Sequence, residues 1–403
     1  MIELTGGGLS PKGLDRMRAV MAGAVSRGEV PGLVALVHRR GETRVLPVGT
    51  TAVGGDDPMR RDTIFRMASL TKPITAVAAM ILVEECRLRL DDPVDDLLPE
   101  LADRRVLRSV DGPLDDTVPA ERPVTARDLL TFRLGLGAIF APRGTYPIQR
   151  ALAETGVDRG PDGPPHEPDE WIKRLGALPL VHQPGAAWMY HTAADVLGVL
   201  IARAAGLPFE DFLRERVLAP LGMDDTGFHL ATDKLDRMAV SYQTDPETGA
   251  IVRRHDPRDG AWDRPPVFAS GGGGPSLLST ADDYLAFCRM MLDKGRYDGG
   301  RILSRPSVEL MTTDHLTPAQ KAGNEIFLGS GGWGFGVAVD ARRDDLATRP
   351  GRFGWTGGLG TTAYTDPAED LVGVLLTQCA MASPQHPRVF QDFWTTAYAA
   401  IDD

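Results

Sequence analysis

The chain has 403 residues, 42% of them hydrophobic and 25% charged, a globular balance in a length that suits two or three domains. Its net charge of −11 argues against nucleic acid, whose phosphates need clustered Lys and Arg, and against anionic membrane surfaces. No run of about 18 apolar residues is present, so no membrane-spanning helix is expected.

In chain order, the opening MIELTGGGLSPKGLDRM lacks a basic start followed by an apolar stretch, so no secretory signal is expected. Cys86, Cys288 and Cys379 are widely spaced in apolar surroundings, which predicts reduced core thiols and a cytoplasmic location. CxxC and HExxH are both missing, so no metal or other cofactor is expected. Ser10-Pro11 reads as a helix cap and first turn, followed by Leu14, Met17, Met21 and Val25 at helical spacing. Two β-rich runs then flank Arg39-Arg40-Gly41-Glu42, which predicts a hairpin. A helix apolar on nearly all sides begins near Ser69 and should be buried between layers.

From about 86 to 280 the composition turns to proline, aspartate and short helical patterns. Thr125-x-x-Asp128 predicts a capping box, and a long helix is expected over about 193–205. The stretch 160–169 reads as a loop, and Gly271 to Pro275 as a sharp bend. Ser279-x-x-Asp282 predicts another helix cap. GWGFGVAVD, GRFGWTGG, GTTAYTDP and DLVGVLLTQ read as strands, before a last helix over about 387–400. These patterns predict an α+β fold, an antiparallel sheet flanked by helices, with a mainly helical insert. The expected division is a discontinuous sheet domain, 1–85 and 280–403, around a helical domain, 86–279, with the active site between them.

GxSxG does not occur, so an α/β-hydrolase elbow is not supported. Among the serines, Ser69 alone has a lysine three positions on, in Ser69-Leu70-Thr71-Lys72. Residues i and i+3 share a helix face, which brings the Lys72 amine to the Ser69 hydroxyl. Lysine, unlike arginine, gives up its proton when buried. Tyr190-His191-Thr192 precedes the second long helix. A tyrosine beside a lysine ammonium is expected to have a lowered pKa and to accept the serine proton. His191 is a weaker candidate base, because neighbouring side chains point in different directions. The strand Phe353-Gly354-Trp355-Thr356-Gly357-Gly358 is small enough for close substrate approach and for an N–H in an oxyanion hole.

These three segments, in this order, resemble the motifs SxxK, YxN or YxS, and K/H/W-T/G-G of the serine β-lactamase and penicillin-binding-protein superfamily. The chain looks most like the family VIII carboxylesterases within it. Leu90-Asp91-Asp92-Pro93-Val94, Asp195-Val196-Leu197-Gly198, the run Leu218 to Gly227, and Leu278 to Asp283 extend the resemblance over about 10–400. It implies a sheet sandwiched by terminal helices and packed on a helical domain. It also implies an acylated nucleophile at Ser69, with Lys72 and Tyr190 sharing the proton work in an order left open. The oxyanion hole would use the Ser69 N–H and a strand N–H near Gly358, with Trp355, Thr356, Gly357 and Thr192 on the substrate. Trp355 stands where β-lactamases place a lysine, and Thr192 where they place Asn. A small or medium acyl ester is therefore the expected substrate. An acyltransferase of secondary metabolism is the alternative, and a weak β-lactamase, D-amino amidase or peptidase a further one. The expected partner is a small-molecule ester or acyl donor, with neither nucleic acid nor membrane.

Overall fold

A computed structural model describes residues 6–158, 163–245, 247–260, 262–272 and 274–403. Part of the expected 160–169 loop, and Gly273 of the expected bend, lie outside these. Seven antiparallel strands form the main sheet. Their spatial order is Gly332–Trp333, Ala338–Val339, Phe353–Gly357, Thr361–Asp366, Leu371–Thr377, Gly32–Arg39, Glu42–Gly49. The strand nearest the N-terminus thus pairs with the last long strand, Leu36 opposite Val374. The predicted hairpin forms, with Arg40 and Gly41 both at positive φ (47° and 80°), the twist that suits a two-residue turn.

Side-chain alternation puts helices on both faces. Tyr364 meets Trp394 of the Arg388–Tyr398 helix, ring centroids 5.6 Å apart. Its neighbours Ala363 and Thr365 face Tyr284, Phe287 and Cys288 of the Ala281–Leu292 helix. The Pro11–Ser26 helix packs beside the C-terminal one. Ser10 caps it as expected, accepting from the Gly13 N–H at 3.2 Å. The chain ends meet at buried Arg39, which donates to the Gly7 carbonyl (2.9 Å) and to Asp403 (2.8 Å).

Several sequence expectations are corrected. Cys86 is exposed, at φ 58° just past the Thr71–Glu84 helix, while Cys288 and Cys379 are buried. GWGFGVAVD is not one strand but two short ones with a turn between them. The cap of the Ala281–Leu292 helix is Thr280, which accepts from the Asp283 N–H. Ser279 one residue earlier belongs to a short strand and bonds the Thr226 hydroxyl. The Thr125–Asp128 capping box forms as read.

The Thr71–Glu84 helix is buried from Thr71 through Leu82 and packs against the Thr192–Ala205 helix. A helix enclosed like this holds its first-turn side chains in a nearly dry setting.

Candidate active site

Ser69 does not begin the long helix itself. It sits in a tight turn, Ala68–Leu70, that feeds into Thr71. Ala68 has φ 48°, a strained value for a residue with a Cβ, directly before the serine. The Lys72 amine, one helical turn on, donates to Ser69 Oγ at 2.9 Å. It also donates to the Gly272 carbonyl, which lies 3.5 Å from Ser69 Oγ. Lys72 is 1% exposed, and burial pushes its pKa down to about 7. The amine is therefore poised to lose and regain a proton near neutrality.

Tyr190 arrives on the segment before the Thr192–Ala205 helix. Lys72 Nζ lies 4.7 Å from the centre of its ring. Its hydroxyl hydrogen-bonds Ser69 and accepts from Trp355 Nε1 at 2.7 Å. The hydroxyl, amine and phenol are thus together; spacing along the chain accounts only for the first two. The expected pKa direction is overturned, however: burial pushes the phenol up. A tyrosine that bonds a half-titrated amine's neighbour in a dry pocket keeps its proton.

Trp355, expected against the substrate, stands on the wall of the cleft and also has a partner within the site. It is 5% exposed, lines the cleft, and spends its indole N–H on Tyr190. Trp355→Phe keeps the ring and deletes that donor. The expected result is a kcat lower by about tenfold, with the fold and KM retained, because one hydrogen bond that orients the phenol is lost. Steady-state kinetics on an activated ester checks it.

Thr356 lines the same cleft, with Oγ1 3.2 Å from His386 Nε2. A Cβ on Gly357 would lie 2.4 Å from the Met67 carbonyl, so only glycine lets this strand back onto the serine turn. Gly358 lies past the last ladder pair of the strand, opens into the cleft, and would meet nothing with a Cβ. Gly357 itself and Thr192 are not among the cleft-lining residues; Thr192 is the first residue of its helix. His191 is also off the cleft lining. Its φ is 92°, its Nε2 lies 3.8 Å from Asp195, and burial with the nearby Lys72 pushes its pKa down.

The cleft has a volume of about 790 Å³. Ser69, Tyr190, Trp355 and Gly358 stand at one part of it, and Ile326 and Phe327 of the Glu325–Leu328 helix form an apolar wall. Phe327 packs its ring against Tyr190 at a tilt (centroids 4.8 Å) and meets Phe140 (4.9 Å), which is half exposed. Sequence reasoning did not place Gly272, Ser270, Phe327 or His386 in the site. The run of glycines from Gly271 is the available sequence signal, and by composition it predicts only a bend.

An antiparallel sheet between helices, with a Ser–Lys–Tyr cluster beside its Phe353–Gly357 strand, defines the serine β-lactamase and penicillin-binding-protein class. The Beta-lactamase family profile matches residues 17–388, and the chain belongs to that family; it is a serine hydrolase. Protein Rv1367c of Mycobacterium tuberculosis is 41% identical over 376 residues, covering 91% of this chain and 90% of that protein. Esterase EstB of Burkholderia gladioli is 33% identical over 396 residues, covering 92% of each. The structure of EstCE1, described as a hydrolase with promiscuous acyltransferase activity, superposes with a TM-score of 0.79 at 26% identity, covering 96% of this chain and 98% of that one.

Proposed function

We propose that the protein is a carboxylesterase that works through an acyl group carried on Ser69, acting on esters of small or medium acids. The observation that carries this reading is the Lys72 amine at 2.9 Å from Ser69 Oγ, with a pKa near 7. Neutral Lys72 takes the Ser69 proton as Oγ attacks the ester carbonyl. The carbonyl electrons move onto oxygen, and the Ser69 and Gly358 N–H groups receive the charge. The tetrahedral species collapses, the ester C–O bond breaks, and Tyr190 gives its proton to the leaving alkoxide. Lys72 returns a proton to Tyr190. Water repeats the steps in reverse to free the acid. The raised phenol pKa suits Tyr190 to the acid role, and the lowered amine pKa suits Lys72 to the base role.

A second reading, transfer of the acyl group to an alcohol, is favoured by the size of the cleft. About 790 Å³ exceeds the needs of a short acyl chain and leaves room for an acceptor beside the apolar wall. The relation to EstCE1 supports the same pairing of activities. Trp355 in place of a lysine leaves no ammonium there for a substrate carboxylate, which disfavours β-lactams and peptides. A cytoplasmic location belongs to the same proposal. The buried free thiols Cys288 and Cys379 fit a reducing compartment, and among the described residues no helix is long and apolar enough to cross a membrane.

The test is a product balance with vinyl butyrate, alone and with added alcohols. The expected result is butyric acid from the wild-type enzyme, with a new ester at its expense when an alcohol fills the cleft. Equal product from wild type and a Ser69 variant would refute the esterase reading.

A further inference from the structure

The loop that carries the Gly272 carbonyl is wedged between the two helices that bring the catalytic side chains. On one side, Thr75 Oγ1 donates to the Gly271 carbonyl at 2.8 Å, and the Leu277 N–H donates to Thr71 Oγ1 at 3.1 Å. On the other side, Gly271 touches the Tyr190 helix so closely that a Cβ would lie 1.9 Å from the Ala194 carbonyl oxygen. Gly272 has φ 144°, and a Cβ there would strike Lys72 Cγ at 2.3 Å.

What fixes this loop is a buried serine. Ser270 Oγ accepts from the Gly272 N–H at 3.1 Å and from the Gly274 N–H at 2.8 Å. It donates its own proton to Asp195 Oδ1 at 2.5 Å. Ser270 is 0% exposed and Asp195 5%. A carboxylate in such a setting makes a short, strong bond and needs a structural or chemical reason to be there. Asp195 stands one turn into the helix that follows Tyr190, so a single side chain ties the tyrosine segment to the lysine's acceptor.

We propose that Asp195 and Ser270 are positioning residues that hold the Gly272 carbonyl against Lys72 and so aim the amine at Ser69. The inference rests on the reading of Lys72 as the group that takes the Ser69 proton. With one N–H committed to Gly272, a neutral amine has fewer orientations in which its lone pair misses the serine; a free amine rotates among all of them. The Asp195 charge also acts directly on Lys72, favouring its protonated form. Among the described residues, His191 and Tyr190, on the segment that leads into the Asp195 helix, also bear on Lys72.

Two variants separate the contributions. Ser270→Ala removes the clamp and keeps the charge; Asp195→Asn keeps an acceptor for Ser270 and removes the charge. For Ser270→Ala, kcat on p-nitrophenyl butyrate is expected to fall roughly ten- to a hundredfold, with KM little changed. For Asp195→Asn, the Lys72 amine, followed by NMR of ¹³Cε-labelled lysine, is expected to titrate at least about half a pH unit lower, and the acid limb of the rate profile should move with it. The NMR titration needs no turnover. A wild type that fails to react with a fluorophosphonate would remove the hydrolase reading; the clamp is then read from the labelled Lys72 resonance in Ser270→Ala, where a shifted resonance supports it and an unshifted one overturns it. Folded Ser270→Ala with wild-type kcat would overturn the proposal. So would an unmoved Lys72 titration in Asp195→Asn, and that arm decides the matter if Ser270→Ala does not fold.

Discussion

Lys72→Met is expected to lower kcat by about three orders of magnitude or more and, in the same protein, to raise the melting temperature. The first effect follows from removing the amine that donates to Ser69 Oγ. The second follows from burial. In the unfolded chain Lys72 holds its proton to its ordinary pKa of 10.5, whereas the folded protein lowers it to about 7. Below pH 7 the fold carries a buried cation, so its full cost is present there. As pH rises from 7 toward 10.5 the unfolded chain binds more protons than the folded one, and stability rises. Methionine has similar length and no charge, so its advantage should be largest at or below pH 7 and shrink above it. A gain of ~2–4 °C at pH 6, measured by calorimetry, is the expected scale for about 1 kcal/mol in a large domain. An inactive variant that is also less stable at pH 6 than at pH 9, relative to wild type, would contradict this account of the amine. The same titration gives the wild-type rate profile its acid limb, rising through a midpoint near pH 7 as Lys72 becomes neutral.

Ser69→Ala is expected to cost at least about 10³-fold in kcat/KM while leaving the fold intact. Ser69 caps no helix: the turn it occupies has no side-chain cap bond, and its hydroxyl contacts only groups of the site. Its removal therefore costs little packing. The variant should melt within a few degrees of wild type and still bind ester. A large loss of stability would mean that the serine is a structural residue.

Much of this site was legible because its chemistry is local. The i,i+3 spacing of Ser69 and Lys72 fixes their contact on any helix, and a lysine among so many arginines marks a proton that can be lost. Tyr190 and the Trp355 strand were found as segments, and only the fold shows that the indole N–H reaches the phenol across 165 positions. The antiparallel sheet is legible from the hairpin and the β-rich runs near both chain ends; its strand order, with the first strand closing on the last long one, is seen only in the fold. What could not be read lies in long-range contacts. Asp195 was visible in the sequence as part of a familiar segment, yet nothing in its neighbours shows Ser270 at the other end of its hydrogen bond. The direction of the tyrosine's pKa is not legible in sequence, because a neighbouring charge can be read there and desolvation, the larger influence here, cannot. Cys86 was misplaced because its apolar neighbours belong to a helix that ends just before it, in a left-handed turn that points it outward.

The most direct measurement is the mass of the intact enzyme, acid-quenched within milliseconds of mixing with p-nitrophenyl butyrate, followed by peptide mapping. The expected spectrum shows one butyryl group per chain, on the peptide containing Ser69. Product release with no covalent adduct, or an adduct on any other residue, would contradict the mechanism at its first step.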